Sequence, residues 1–270
     1  MNPVDVIQGI EPIILAMPHT GIFVPENVHS SLNETGHLLA DTDWHVDRLY
    51  EGLLPGASII RANFHRYVID ANRAPSGVSL YPGENTTSLC PTTDFTGASI
   101  YHEEHQPDDA EIECRRLTFH APYHAALQAE IERVHAKHGV AVLYDCHSIR
   151  SQISFLFDGK LPDLNIGTYG GKSCANEIEQ AAIEVCNHAA GFTSVLNGRF
   201  KGGWTTRHYG QPSTGIHAIQ MELAQSTYME ETAPWKYRDD KAKLIRPHLK
   251  LILEAIHDEA LKLTLTSERN

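Results

Sequence analysis

The chain interleaves short apolar runs with longer stretches of helical periodicity. Glu11 to Met17 reads as a buried strand that breaks at Pro18-His19-Thr20-Gly21, a loop with turn chemistry. Ala57 to Asn63 is strand-like, and His65 to Asp70 partly alternates apolar with polar residues. Val140 to Ser148 is an apolar run ending in Asp145-Cys-His-Ser148, and His217 to Leu223 carries Glu222 among apolar neighbours. Further short strands are expected near Thr193–Val195 and within Ser148–Phe157. Helical spacing predicts a helix over 38–54, stopped by Pro55-Gly56, and another over 108–138, broken or kinked at Pro122 and ended by Gly139. Two more are expected over 173–190 and 235–265. In the last, Leu244, Leu249, Ile252, Ile256 and Leu261 should pack, with a kink at Pro247. Residues 76–106 form an irregular excursion whose aromatic residues, Tyr81, Phe95 and Tyr101, favour an ordered binding loop over disorder. Strands alternating with helices indicate an α/β fold.

Polar residues collect where these apolar runs stop, a common way for an α/β sheet to deliver reactive groups at its carboxyl edge. His147 reads as a metal ligand. His19 is either a loop histidine capping a carbonyl or a second ligand. Asp41 and Asp43 suit a helix start, which accounts for at least one of them; the other is free to act as a hard oxygen ligand. Arg73, presented by Asp70-Ala-Asn-Arg-Ala-Pro75, either pairs with a substrate carboxylate or bridges back to Asp70. Glu222 is a structural pair member or a general base. Arg115 and Arg116 default to surface positions. Arg199, Lys201, Arg207 and His208 lie in a glycine-rich segment that suits a second substrate loop. Gly167 to Gly171 encloses too few residues for a phosphate-binding loop, and Ser148 lacks the glycine-flanked elbow of a serine hydrolase.

Composition narrows the function classes. At 270 residues the chain suits a single catalytic domain over 1–270 without disulfide support. A net charge of −12 with no basic cluster argues against nucleic acid or an anionic membrane as partner. It leaves room for a small anionic substrate, because local arginines decide that. Five cysteines without CxxC spacing fit reduced thiols, and no apolar run approaches the roughly 20 residues that span a bilayer. The amino terminus shows no secretory pattern, so a cytoplasmic location is expected. The 17 histidines favour a metal site slightly. Nothing in the composition bears on oligomeric state.

Taken together, the segments resemble the N-formylglutamate amidohydrolase (deformylase) family. The matching stretches are Pro18-His-Thr-Gly21, Asp41-Thr-Asp-Trp-His45, Arg66-Tyr-Val-Ile-Asp-Ala-Asn-Arg-Ala-Pro75, Cys90-Pro-Thr-Thr, Pro122-Tyr-His124, Asp145-Cys-His-Ser148, Gly202-Gly203 with Thr206-Arg-His-Tyr-Gly210, and Met221-Glu-Leu223. The resemblance implies metal-dependent hydrolysis of N-formyl-L-glutamate to formate and L-glutamate in histidine degradation. A more distant likeness to zinc metallocarboxypeptidases implies a mixed, mostly parallel sheet flanked by helices, of the phosphorylase/hydrolase-like type. It also implies roles: His19 and His147 as ligands, Asn72-Arg73 as carboxylate binders, and Glu222 as base. Carboxypeptidases carry a ligand glutamate three residues after the first histidine, where this chain has Ile22. Asp43 is the expected third ligand, with Asp41 and Glu26 behind it. The metal expected is a divalent ion, Zn²⁺ first and Co²⁺ as alternative. A second arginine for the other carboxylate is sought in Arg207, then Arg116. Competing readings are a related metallo-amidase or carboxypeptidase acting on another N-acyl amino acid or peptide, and a non-enzymatic binding protein.

Overall fold

The computed structural model describes residues 1–78 and 85–267. Its centre is a seven-stranded sheet in the order β1-β3-β2-β4-β7-β5-β6. The strands are β1 (Val4–Ile7), β2 (Ile13–Met17), β3 (Ser58–Ala62), β4 (Ala141–Ile149), β5 (Leu164–Gly167), β6 (Ser194–Leu196) and β7 (Ile216–Ala224). The four central strands run parallel, β1 and β5 join antiparallel to β3 and β7, and β6 lies parallel to β5. The mixed, mostly parallel sheet that the resemblance implies is therefore present. Around it lie α1 (Glu26–His29), α2 (Glu34–His37), α3 (Val46–Tyr50), α4 (Asp109–Arg115), α5 (Ala121–His138), α6 (Asn176–Asn187), α7 (Trp204–Tyr209) and α8 (Asp239–Ser267). No helix among the described residues is long and apolar enough to cross a membrane.

The central strands are largely apolar short of their carboxyl ends because helices cover both faces. Ile14, Ala16, Ala141, Leu143 and Ala218 share one core with Tyr123, Leu127, Ile131 and Val134 of α5. The intervening Ile13, Leu15, Met17, Val142, Tyr144, Cys146 and Met221 join a second core with Leu49 of α3, Ile178 of α6 and Leu249, Ile252 and Ile256 of α8. Side chains alternate faces along a strand, so Asp145 and His147 continue the α5 face of β4, and Gln220 and Glu222 that of β7. This face turns polar toward the carboxyl ends of β4 and β7. The same alternation sends Cys146 into the opposite core, fully buried. Burial pushes its thiol well above the ordinary range, so it is no nucleophile.

Several expected elements differ. The helix over 38–54 shrinks to α3, because Leu39 and His45 adopt left-handed backbone (φ 48° and 63°), which no helix propagates. The His45 ring, bonded to the Trp235 carbonyl at 2.7 Å, anchors that break. His65 to Asp70 is no strand: it folds into turns, with Val68 N–H donating to His65 O at 2.9 Å, around a buried Arg66–Asp70 pair at 2.7 Å. Ser148 to Phe157 adds no further strand; after β4 ends, the amides of Leu156 and Phe157 bond back to Ile153. The break near Pro122 is a π turn over Arg116–His120, immediately ahead of a proline at the first turn of α5. In α8, Leu244 and Leu261 are 66% and 40% exposed; Ala242, Ile245, Leu249, Ile252, Ile256 and Ala260 form the buried stripe instead. β1 and β5 are additions, each too short to announce itself by period. Tyr81 lies outside the described residues.

Candidate metal centre and active site

Three loops and two strand ends meet at the polar end of the α5 face. His19 stands just past β2, and its carbonyl accepts the Asp43 amide at 3.0 Å, tying the Asp43 loop to it. His147 lies within β4. His19, Asp43 and His147 form a buried group that could hold a metal, with ligand atoms within 4.8 Å of one another. His147 Nδ1 is 3.1 Å and His19 Nδ1 3.7 Å from Asp43 Oδ2. Asp41 and Glu26, the alternative third ligands, lie outside this group. Glu26 is exposed on α1. Asp41 is buried, accepts from Tyr67 Oη (2.9 Å) and Phe95 N (2.8 Å), and faces Arg150 at 3.1 Å. Burial pushes its pKa up to about 6, against the pull of Arg66 and Arg150.

The far side of each imidazole is also held. His19 Nε2 meets Asp70 Oδ1 at 2.7 Å, and Asp70 Oδ2 takes the Arg66 guanidinium at 2.7 Å. A carboxylate behind a ligating histidine fixes ring orientation and tautomer. His147 Nε2 is hydrogen-bonded to Asn72 Nδ2 at 3.0 Å and lies 3.1 Å from Asp145 Oδ1. The Asp145 contact is off the hydrogen-bonding direction, which leaves Asp145 Oδ1 without a bond. Burial works against charge at Asp43, but the His147 and His19 rings hold its carboxyl well below the usual range. Burial likewise works against protonation of His147, but Asp145 and Asp43 raise it well above the imidazole range. A divalent ion between these rings and carboxylates would supply positive charge at the same place. The donor set fits such an ion: two imidazoles and a carboxylate are zinc-type ligands, and His19 Nδ1 is buried with no hydrogen-bond partner.

Glu222 stands beside His147 on the adjacent strand and accepts from Gln220 Nε2 at 3.0 Å. It is 7% exposed. Burial pushes its pKa up to about 8, with His147 pulling it down and Asp43 pushing it further up. Gln220 Oε1 in turn accepts the Gly203 amide at 2.7 Å. A side chain at Gly203 would place its Cβ 2.3 Å from Asn72 Nδ2, so the glycine lets this loop close over Asn72.

A cavity opens onto these groups, lined by His19, His147, Glu222, Gln220, Asn72, Arg66, Arg73 and Arg199, with Phe95, Ile149, Leu156 and Phe200 as apolar wall. Arg73 is braced by Thr87, through Nε to the carbonyl (3.1 Å) and Nη2 to Oγ1 (3.0 Å). The structure does not bring Arg207 to this wall: its Nε donates to Gly202 O at 2.9 Å and its guanidinium lies 4.6 Å from the Tyr169 ring centre. Arg116 pairs with Glu113 on α4 at 2.6 Å, away from the cavity. Arg199 lines the cavity where neither of these two does. It sits in the same glycine-rich segment as Arg207, and that segment is the signal; which arginine turns inward depends on how the loop folds. Arg66 and Asp70 are visible in the Arg66–Pro75 stretch, but their support of His19 depends on a turn that the alternating pattern disguises.

The profile of the N-formylglutamate amidohydrolase family matches residues 11–229. An N-formylglutamate deformylase of Pseudomonas putida is 46% identical over 250 residues, covering 92% of this chain and 93% of that protein. One of Pseudomonas aeruginosa is 45% identical over 251 residues, covering 92% and 94%. The crystal structure of N-formylglutamate amidohydrolase from Ralstonia eutropha JMP134 shares the fold, with a TM-score of 0.78 at 22% identity over 100% of this chain and 99% of that one. A gene product of Agrobacterium tumefaciens does so at a TM-score of 0.69 and 18% identity, covering 96% of each chain. The chain belongs to the N-formylglutamate amidohydrolase family.

Proposed function

We propose that this protein, one catalytic domain over residues 1–270, hydrolyses the formyl amide of N-formyl-L-glutamate to formate and L-glutamate in the cytoplasm, as a step in histidine degradation. His19, Asp43 and His147 would hold a divalent metal, Zn²⁺ first. The carrying observation is the meeting of that ligand group with Glu222 in one cavity lined by Arg73 and Arg199. The deformylase names of the two Pseudomonas relatives support the substrate.

When bound, the ion supplies Lewis acidity toward a water and a carbonyl oxygen. Glu222 removes a proton from the attacking water and delivers it to the departing amine. Its raised pKa of about 8 suits a group that must take and return a proton near neutrality. Gln220 holds its carboxylate, and the Arg66–Asp70 pair holds His19. Arg73, set by Asn72, binds one substrate carboxylate and Arg199 the other, and the apolar wall excludes water around the chain between them. Formate release from N-formyl-L-glutamate, measured with and without chelator, tests the reading: chelator-sensitive release supports it, and no release in the metal-loaded protein refutes it.

A further inference from the structure

We infer that His120 and His124 are positioning residues for substrate binding: together they bracket the Asp70–Arg73 turn and set the direction in which Arg73 is presented. The inference rests on the reading of Arg73 as a carboxylate binder.

The turn has a specific need. Arg73 N–H donates to Asp70 O at 3.2 Å, and Asn72 N–H donates to Asp70 Oδ1 at 2.8 Å, so both amides are satisfied inside the turn. That leaves the carbonyls of Ala71 and Arg73, on either side of Asn72, to find donors elsewhere. Ala71 is fully buried, and a buried carbonyl without a donor is costly. His124 Nε2 lies 2.8 Å from Ala71 O and His120 Nε2 lies 3.0 Å from Arg73 O. A carbonyl only accepts, so each ring carries its proton on Nε2. His124 Nδ1 is then an acceptor and takes the Tyr209 hydroxyl at 3.0 Å.

The spacing of the two donors comes from the helix. Residues four apart share a helix face, and here the two ring centres are 4.3 Å apart. The π turn over Arg116–His120 ends at the first of them, and α5 begins with the next residue. One extra residue in that turn rotates α5 relative to α4, and such turns mark functional sites often enough to ask what this one aims. It brings both rings onto the turn. The bracket is closed from the other side by α7: Trp204 meets His124 edge-on at 4.7 Å, and Thr205 N–H donates to Asn72 Oδ1 at 2.9 Å. Burial depresses the pKa of both histidines, that of His124 to about 3, so they remain neutral donors. Neither ring lines the cavity, so neither touches substrate.

His120 gives the cleaner test, because its ring donates to the Arg73 carbonyl itself. In the metal-loaded protein, His120→Phe keeps the ring volume and removes the donor, while His120→Gln carries an amide donor at nearly the Nε2 position. Losing one buried hydrogen bond that aims a ground-state contact should raise KM for N-formyl-L-glutamate about tenfold with kcat within about threefold. Inhibition by L-glutamate should weaken in parallel, bound metal should stay at the wild-type level, and His120→Gln should recover most of the KM. His124→Gln, paired with His124→Phe, should repeat the pattern. If KM stays at the wild-type value in both Phe variants, or if the Phe and Gln variants lose kcat and thermal stability alike with KM unchanged, the positioning role is overturned. If wild-type protein releases no formate at all, the functional reading falls first and the inference falls with it.

Discussion

His147 and Glu222 stand opposite one another on adjacent parallel strands, β4 and β7, with their side chains on the same sheet face. That register fixes a proposed metal ligand beside a proposed base without help from any loop. It also means that a conservative change at Glu222 should leave the ligand group standing. Glu222→Gln keeps volume and the contact with Gln220 while removing the proton-accepting carboxylate. Turnover should fall by about 10²–10⁴. Elemental analysis should still find about one metal per chain, as a site with its ligands intact requires.

The ligand group itself predicts a graded loss of metal. His147→Ala removes a ligand, and metal content should drop to a small fraction of the wild-type level. Asp70→Asn leaves all ligands in place but weakens the group behind His19 Nε2. Competition with a chromogenic chelator should show metal affinity lowered by about 10- to 100-fold. An unchanged affinity would mean that Asp70 serves the fold and not the metal.

Two guanidiniums that each bind a substrate carboxylate, Arg73 and Arg199 in the proposed function, predict a selectivity that one alone would not give. Arg199→Gln should lower kcat/KM for N-formyl-L-glutamate by about 10- to 100-fold, the loss of one charge-assisted pair. The uncharged N-formyl-L-glutamine should lose little, so the preference between the two substrates narrows. Arg207→Gln, stacked on Tyr169 outside the cavity, should preserve that preference. Equal losses on both substrates in Arg199→Gln would show that it does not read the side-chain carboxylate.

How much of this is legible in the sequence varies by residue. His19, His147 and Glu222 can be found because each stands at or near the end of an apolar run, and apolar runs are read directly from the chain. Asp43 shares its signal with Asp41, a helix-start motif whose helix begins only at Val46. The Arg66–Asp70 pair is hidden because tertiary contacts, not local preference, fold that segment into turns. Arg199 yields to Arg207 in the sequence reading because both lie in one glycine-rich loop, whose backbone directions are fixed by close approaches such as Gly203 on Asn72. Leu244 and Leu261 fit a helical period roughly but fall one step off the stripe that α6 and the sheet cover.

Buried neutral histidine also predicts how stability responds to acid. His217, on β7, accepts the Ala175 amide at 3.1 Å, and burial pushes its pKa down to about 4 from 6.5. Between those values the unfolded chain takes up a proton that the folded chain refuses. Its contribution is therefore complete above pH 6.5 and is lost as pH falls toward 4, by on the order of 3 kcal/mol. Urea denaturation of metal-free protein at pH 7 and pH 4.5 should show a smaller acid-induced loss in His217→Gln than in wild type. Equal losses would place the acid sensitivity elsewhere.

Metal-dependent deformylation by the His19–Asp43–His147 site is tested most directly by stripping and restoring the metal. Purified protein is dialysed against chelator, its metal content measured, and formate release from N-formyl-L-glutamate followed as Zn²⁺ or Co²⁺ is added back. Release should be lost with the metal and should return in proportion to bound ion, reaching its plateau at about one per chain, the stoichiometry of a single three-ligand site. Undiminished formate release from protein shown to hold no metal would contradict it.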